Sequence, residues 1–300
     1  MAQDEMILAL RALLAGDRGA ALSACRSDPS SSLLAAALAR HLEADAEGGR
    51  VYDQPAAFQA FISGGGNVGL YNATARALAA AYEAFDEPSV LDIGCGDGAA
   101  LVRALAHAQA RPARLDLVEP SAPLLDAAVR ALSALGQPSA PHAVTAQEFT
   151  AALHREQRWD VAESTFALHT LPYDERTAVL SRLHAHVDKL VVIEFDVPDH
   201  DPGSYERLAF LADSYEQGLA EYTEDRDLIA SGFLMPVLVG QLARGAARVT
   251  YEQPSAAWEE QLRSCGYSDV EGRDLFPSWS SPAFVVTGVG GAVRSGASTS

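Results

Sequence analysis

A glycine-rich segment at residues 90–99 (VLDIGCGDGA) combines residue types that can hold a charged ligand. An apolar run ends around Asp92, glycines follow at every second position from Gly94 to Gly98, and a helical pattern begins at Ala99. Glycines allow a positive φ and have no Cβ, so a ligand can touch the backbone. The N-terminus of the following helix adds unpaired N–H groups. The segment therefore predicts a ligand-binding turn between a buried strand and a helix.

The next apolar run, residues 115–118, is followed by Glu119. An acid at the end of the second strand lies beside the first turn, and its two oxygens can accept hydrogen bonds from both hydroxyls of a ribose. The two segments together indicate a nucleoside cofactor.

Two cofactors fit this pattern. A nicotinamide or flavin dinucleotide would use G-x-G-x-x-G/A, which Gly94, Gly96 and Ala99 match loosely. Its pyrophosphate would be repelled by Asp92 and Asp97, whereas the sulfonium and ammonium groups of S-adenosylmethionine would be attracted. The charges favour S-adenosylmethionine and leave a dinucleotide-dependent oxidoreductase as the alternative.

Beyond the turn, an ordered series of motifs resembles class I S-adenosylmethionine-dependent methyltransferases that act on small molecules. The motifs are VLDIGCGDG at 90–98, LVEP at 117–120, WDVAES at 159–164, FALH at 166–169, and the closing segments at 266–267 and 284–286. The resemblance covers about residues 89 to 288. It implies a seven-stranded sheet with an antiparallel last strand, S-adenosylmethionine as cofactor, and methyl transfer to oxygen, nitrogen or carbon, with specialised metabolism as the expected setting.

The same resemblance assigns cofactor contacts to the strand ends. It implies that Asp92 and the glycines lie against the methionine end, that Glu119 binds the ribose, and that residues at the end of the third strand flank the adenine. Glu163, after the fourth strand, would close the methionine side. The expected cofactor-binding residues are Asp92, Gly94, Cys95, Gly96, Glu119, Pro120, Ala146, Gln147, Glu163 and Ser164.

A general base is needed only if the acceptor arrives protonated, because the sulfonium already carries a good leaving group. His169 and Glu194 are the candidates at strand ends, and Tyr71 could orient the nucleophile. The alternatives are a packing role for His169, a solvated strand end for Glu194, and a tyrosine that only joins the N-terminal helices to the core. No metal site is predicted, because the Asp199–Asp201 cluster fits a solvated turn better.

The acceptor is expected to be a small molecule enclosed by helices. The substrate candidates are Tyr52, Phe166, Phe233 and Met235. Residues 194–227 are strongly acidic, which would favour a neutral or cationic acceptor; an ordinary solvated helix face is the alternative.

The elements that position these residues follow from hydrophobic periodicity. Apolar residues at three- and four-residue spacing predict helices over the first eighty-odd residues, and short apolar runs alternate with helical stretches from Pro88. Continuously apolar runs are typical of parallel strands buried on both faces, so the fold class is a doubly wound, Rossmann-like α/β sheet. The predicted strands are 90–93, 115–118, 142–146, 160–165, 190–195, 267–275 and 283–289.

This pattern divides the chain into regions. We expect a helical N-terminal cap over 1–85, a methyltransferase core over 86–290 with a helical lid insertion at 200–245, and a flexible tail at 291–300.

Composition excludes several classes of partner. The 300 residues carry a net charge of −18, which repels nucleic acid and anionic lipid. Three distant cysteines give no disulfide framework, and neither a signal peptide nor a membrane helix is predicted, so a cytoplasmic protein is expected. A homodimer and a non-catalytic, cofactor-binding role both stay open.

Overall fold

The computed structural model describes residues 2–27, 32–44, 55–243 and 250–292. The chain divides into two compact units, each assembled from separate segments. The first comprises Met1–Val68, Asp199–Val249 and Ser278–Ser281; the second comprises Gly69–Pro198, Thr250–Pro277 and Pro282–Ser300. The boundaries of the cap, core, lid and tail given above stay a prediction.

The helices are named in chain order. They are α1 (Ala2–Leu14), α2 (Arg18–Ser27), α3 (Leu33–Glu43), α4 (Pro55–Ser63), α5 (Asn67–Tyr82), α6 (Ala99–His107), α7 (Ala122–Ala134), α8 (Ala146–Ala151), α9 (Tyr173–His184), α10 (Tyr205–Glu221), α11 (Arg226–Ile229), α12 (Met235–Leu242) and α13 (Ser255–Ser264). A 3₁₀ turn spans Leu168–Thr170 and a π-helical turn spans Ala230–Leu234.

The second unit is built on a seven-stranded sheet. Its strands are β1 (Ser89–Ile93), β2 (Arg114–Val118), β3 (Ala140–His142), β4 (Trp159–Thr165), β5 (Val187–Phe195), β6 (Ser268–Phe276) and β7 (Ala283–Val289). They lie in the order β3-β2-β1-β4-β5-β7-β6. The first five strands pair in parallel, whereas β7 runs antiparallel to both β5 and β6. The predicted doubly wound, Rossmann-like sheet with its antiparallel final pair is confirmed.

Both faces of the sheet are covered, which explains the continuous apolar runs of its strands. Val90 and Val161 pack in one cluster with residues of α5, α6 and α7. Leu91 and Ala162, one position along each strand, pack in a second cluster with residues of α9 and α13. Because neighbouring residues of a strand point to opposite faces, these strands must be apolar at successive positions.

The third strand differs from its prediction. It ends at His142, whereas the prediction continued it to Ala146. The Thr145 hydroxyl accepts a hydrogen bond from the Glu148 N–H, and the Glu148 carboxylate accepts one from the Thr145 N–H. This reciprocal pair begins α8 at Ala146.

The first unit is helical, and its core contains residues of α1, α2, α3, α10 and α12. The helical insertion predicted at 200–245 is not one continuous helix, because Asp225 adopts a left-handed conformation with φ 54° between α10 and α11. Glu216 of α10 satisfies the start of α3 by accepting hydrogen bonds from the N–H groups of Leu33 and Leu34. The negative carboxylate also complements the positive end of the helix dipole.

The glycine run at residues 64–66 lies against protein side chains within this first unit. The Gly66 N–H donates to Glu221 Oε2 at 2.7 Å. A Cβ on Gly65 would stand 3.0 Å from the Tyr222 ring. The close backbone approach that the glycines permit is therefore made to α10 and the residue that follows it.

Within the described part of the chain, every helix is too short or too polar to cross a bilayer.

The turn after β1 gives a test of stability. Gly94 has φ 74°, and a Cβ there would collide with the Cβ of Ala167; Gly136 has a similar φ of 71°, but no atom of a described residue lies within 4 Å of its added Cβ. We expect Gly136→Ala to lower the free energy of unfolding by about 1 to 2 kcal/mol through backbone strain alone. Gly94→Ala should cost about 1 to 3 kcal/mol more because of the collision.

Urea denaturation of the two variants without ligand measures this difference. Equal losses of stability would contradict the close packing of the turn against Ala167.

Candidate functional site

The site is centred on the turn that connects β1 to α6. Its three glycines, Gly94, Gly96 and Gly98, all have positive φ, at 74°, 55° and 78°. The N–H of Gly94 donates to the carbonyl of Val118 at 2.8 Å, which ties the turn to the end of β2. A Cβ on Gly96 would meet no heavy atom of the described residues within 4 Å. The backbone at Gly96 therefore faces space that a ligand can enter.

Glu119 holds the other side of this turn. Its Oε2 accepts a hydrogen bond from the Gly96 N–H at 3.2 Å, and its Oε1 accepts one from the Ser121 N–H at 2.9 Å. The side chain is largely buried, with the residue 9% exposed. The carboxylate thus joins the glycine turn to the start of α7, and the remaining lone pairs of its oxygens are the ones a sugar hydroxyl would use.

Asp92 and Glu163 form a buried acid pair. They lie opposite each other in register on the neighbouring parallel strands β1 and β4, so their side chains point to the same face of the sheet. Asp92 is 5% exposed and Glu163 is 1% exposed. No ion pair among the described residues includes either carboxylate. Asp92 also accepts no hydrogen bond from a described residue, although its side chain lies just before the glycine turn.

Burial determines the protonation of this pair. Burial, together with the charge of Glu119, raises the pKa of Asp92 to about 7. Burial and the charge of Asp92 raise the pKa of Glu163 well above its usual range, against the opposing effect of a hydrogen bond from Tyr82. Two adjacent carboxylates without a cation cannot both ionise readily in such surroundings.

Tyr82 is a site residue that the sequence analysis missed. Its hydroxyl donates to Glu163 Oε2 at 2.6 Å, and the residue is fully buried at the end of α5. Burial and the charge of Glu163 raise the pKa of Tyr82, so the hydroxyl keeps its proton. The sequence does contain an indication of this role, because Tyr82 is an aromatic residue with a hydroxyl group on the buried face of the helix that precedes β1.

Three other expected cofactor residues, Ser164, Cys95 and Pro120, differ in burial and bonding. The Ser164 hydroxyl donates to the Ile93 carbonyl at 2.8 Å and so joins β4 to β1. The Cys95 thiol is half-buried, and burial raises its pKa. Pro120 is exposed.

The adenine candidates Ala146 and Gln147 lie in the first turn of α8, and the expectation of a strand end there was wrong. Gln147 Nε2 donates to Glu175 Oε2 at 2.7 Å. Its Oε1 is buried and accepts no hydrogen bond from the described residues. A buried carbonyl oxygen of this kind can receive an N–H from a ligand.

The catalytic candidates His169 and Glu194 are brought together. His169 lies in the 3₁₀ turn after β4, and Glu194 lies in β5 with 1% exposure. His169 Nδ1 is 2.8 Å from Glu194 Oε2, and the His169 backbone N–H donates to Glu194 Oε1 at 3.1 Å. Both carboxylate oxygens therefore hold one residue, which fixes the ring and leaves Nε2 outside this pairing.

The charge of Glu194 also sets the proton affinity of this histidine. Burial alone would lower the pKa of His169, but the charge and hydrogen bond of Glu194, with a contribution from Glu252, raise it above its ordinary value.

Tyr71, the third catalytic candidate, lies in an aromatic row of the second unit. Its ring is 6.5 Å from that of Phe166 in an edge-to-face arrangement, and Phe166 stacks on Phe195 at 4.7 Å. The Arg103 guanidinium lies 5.0 Å from the centre of the Tyr71 ring. Phe166 has φ 50°, an unusual conformation for a bulky residue that the hydrogen bond from its N–H to the Ile193 carbonyl helps to hold.

The substrate candidates fall in different parts of the chain. Phe166 belongs to the second unit, whereas Phe233 and Met235 belong to the first. Phe233 is half-buried, with its ring 4.4 Å from that of Phe61. Met235 is fully buried in the core of its unit. Tyr52 lies outside the described residues.

Comparison with known proteins gives one family match. Residues 91–189 match the model of a methyltransferase domain, which places the glycine turn, the acid pair and His169 inside the matched segment. A search of curated proteins finds no match to the sequence.

Two solved structures with TM-scores above 0.5 share the fold at low sequence identity. Magnesium protoporphyrin IX methyltransferase from Synechocystis PCC 6803 is 14% identical with a TM-score of 0.52, over 80% of this chain and 95% of that one. The pyocyanin biosynthetic protein PhzM is 14% identical with a TM-score of 0.51, over 80% of this chain and 59% of that one. The methyltransferase SibL is 18% identical with a TM-score of 0.45, over 69% of this chain, which spans only 50% of its length.

The family match and the sheet order agree with each other and with the ordered motifs. The match covers β1 to the start of β5, the segment that contains the turn and both acidic strand ends. Residues 91–189 therefore form a methyltransferase domain, and the sheet that contains them has the Rossmann-like methyltransferase fold.

Proposed function

We propose that the protein transfers a methyl group from S-adenosylmethionine to a small-molecule acceptor, and that it does so in the cytoplasm as part of specialised metabolism. The observation that carries the proposal is Asp92: a buried carboxylate that has no cation and no hydrogen-bond donor among the described residues, beside a glycine turn with open space. A buried charge of this kind requires compensation, and a cationic ligand supplies it. A dinucleotide would add negative charge at the same place.

The residues present fit this cofactor. S-Adenosylmethionine supplies a methyl group on a positively charged sulfur that becomes neutral when the group is transferred. Asp92 would attract the cationic end, Glu119 would accept hydrogen bonds from the ribose, and the Gln147 oxygen would accept one from the adenine amino group. The related magnesium protoporphyrin IX methyltransferase was solved with S-adenosylhomocysteine bound, which supports the assignment.

His169 is the proposed general base. An acceptor with an O–H or N–H group must lose that proton as the new bond to carbon forms. With Nδ1 paired to Glu194, the imidazole Nε2 would receive the proton, and the Glu194 charge would stabilise the imidazolium that results. Glu194 acts here as a positioning residue, because it works through the histidine.

The aromatic row supports a small acceptor with flat, apolar parts. Phe166 and Phe195 are half-exposed and stacked, with Tyr71 edge-on to Phe166. Such rings bind apolar surface and exclude water from a transfer reaction. A non-catalytic, cofactor-binding role would require this row and the His169–Glu194 pair to be purely structural.

Replacement of Gly96 tests the cofactor site. We expect Gly96→Ala to weaken S-adenosylmethionine binding at least tenfold, about 1.4 kcal/mol, because the new methyl group fills ligand space. Its loss of stability should equal that of Gly136→Ala, since both positions have positive φ and open space. Isothermal titration calorimetry gives the affinities, with Gly136→Ala as the matched control. Unchanged affinity in Gly96→Ala would place the cofactor elsewhere.

Glu194→Gln tests the base. The substitution keeps the shape but removes the charge that raises the pKa of His169, so that pKa should fall below the wild-type value. NMR titration of the imidazole nitrogens measures it, with the exposed His107 as internal reference. Because a histidine that binds protons less tightly is neutral at lower pH, the acid limb of the methylation rate should also move to lower pH. An unaltered His169 titration would remove Glu194 from this role.

A further inference from the structure

The candidate base is held by a second segment that the proposed function does not use. Residues 251–254 lie just before α13 and form neither helix nor strand; we name them the strap. The Tyr251 N–H donates to the His169 carbonyl at 2.6 Å. On its other side, the His169 backbone N–H donates to Glu194 Oε1. Both main-chain polar groups of the histidine are therefore fixed, one of them by the strap.

Two side chains of α9 fasten the strap in turn. Arg176 Nη1 donates to the Tyr251 carbonyl at 2.9 Å. The Tyr173 hydroxyl donates to the Glu252 carbonyl at 3.1 Å. Tyr251 thus uses its N–H toward His169 and its carbonyl toward Arg176. A single residue of the strap links the guanidinium to the candidate base.

The surroundings of Arg176 fix the direction of its guanidinium. The residue is 0% exposed, and the guanidinium lies 4.0 Å from the centre of the Trp258 ring. Its Nε donates to Gln261 Oε1 at 2.9 Å while Nη1 reaches the strap. A planar guanidinium can stack on a ring and donate in two directions at once, whereas a lysine ammonium is a point charge without this fork. Burial of a cation is costly unless its donors are satisfied, and one of these donors is directed at Tyr251.

We infer that Arg176 is a positioning residue for His169, that it acts through the backbone of Tyr251, and that the strap is a working part of the base site. This role rests on the proposed function, in which His169 receives the proton of the acceptor, and it adds a residue outside the motifs named above. A general base must lie within hydrogen-bond reach of the proton it accepts, so a displaced imidazole lowers the rate.

The strap also brings charge to the histidine. The charged groups that act on His169 come from each element packed against it and are Glu194 of β5, Glu252 of the strap and Arg176 of α9. Burial lowers the pKa of His169, the two carboxylates raise it, and the guanidinium lowers it. Removal of the Glu252 charge and removal of the Arg176 charge should therefore move this pKa in opposite directions.

Amide hydrogen exchange, followed residue by residue by NMR, tests the positioning. Arg176→Lys keeps the charge but loses the fork, so the Tyr251 amide should exchange at least about tenfold faster because the strap opens more often. Arg182→Lys makes the same change at an exposed arginine of α9 and should leave this exchange unaltered. A rise spread evenly over α9 and α13, without an excess at Tyr251, would make Arg176 a core residue only.

Titration of the His169 imidazole by NMR tests the connection to the base. Arg176→Met should raise the pKa of His169 and Glu252→Gln should lower it. A histidine that binds protons more tightly becomes neutral at higher pH, so the acid limb of the methylation rate should move to higher pH in the first variant and to lower pH in the second. Arg182→Met and Glu260→Gln, changes of exposed residues on α9 and α13, are the matched controls.

Tyr173→Phe keeps the test decisive if replacement of the buried arginine prevents folding. The variant removes only the hydroxyl that donates to the Glu252 carbonyl, so the Tyr251 amide should again exchange faster than in the wild type. Tyr205→Phe, at a tyrosine that is 51% exposed, removes a hydroxyl elsewhere and should leave the Tyr251 amide unaffected.

The outcomes separate the strap from the proposed function. Unchanged exchange of the Tyr251 amide in Arg176→Lys and Tyr173→Phe overturns the inference while the cofactor site stands. So do His169 pKa values that move in the same direction in Arg176→Met and Glu252→Gln. Absence of S-adenosylmethionine binding by the wild type overturns the proposed function itself, and the exchange and titration results are independent of it because they are measured on the protein without ligand.

Discussion

Burial of negative charge at the ends of β1 and β4 is the constraint on which the site depends. A carboxylate removed from water costs several kcal/mol unless a cation or hydrogen-bond donors compensate it. Asp92 has neither among the described residues, and Glu163 has only the Tyr82 hydroxyl. A fold that retains such a pair is less stable at neutral pH than one with apolar residues there, because each raised pKa costs stability as the pH rises above the unfolded value. That cost is explained by a cationic ligand that restores the balance.

The parallel sheet turns this local charge into a binding site. The strands β1, β2 and β4 end at one edge, where Glu119 bonds the glycine turn, Asp92 lies just before it, and Glu163 lies beside Asp92 in register. On the opposite face of β5, Glu194 reaches His169 in the turn after β4. Both proposed tasks, holding a positive nucleoside and accepting a proton, belong to this one edge of the sheet, because the turn after β4 lies against the glycine turn where Ala167 faces Gly94.

Much of the second unit could be predicted from the sequence, because its strands are apolar on both faces and its glycine turn has a strong local pattern. The predicted third strand was too long for a local reason. Thr145 and Glu148 form a capping pair that begins a helix, whereas the apolar residues around them fit a strand equally well. The Tyr82–Glu163 hydrogen bond and the His169–Glu194 pairing join residues far apart in the chain, and only the register of the sheet brings them together. The full burial of Met235 in the first unit likewise depends on packing between helices that are distant in sequence.

The central claim is that this turn accepts a positively charged sulfur nucleoside. Isothermal titration calorimetry with the wild-type protein tests it most directly, with S-adenosylmethionine and NADH titrated separately at pH 8. The account predicts saturable, one-site binding of S-adenosylmethionine and no heat from NADH. Tight binding of NADH together with no response to S-adenosylmethionine would contradict it.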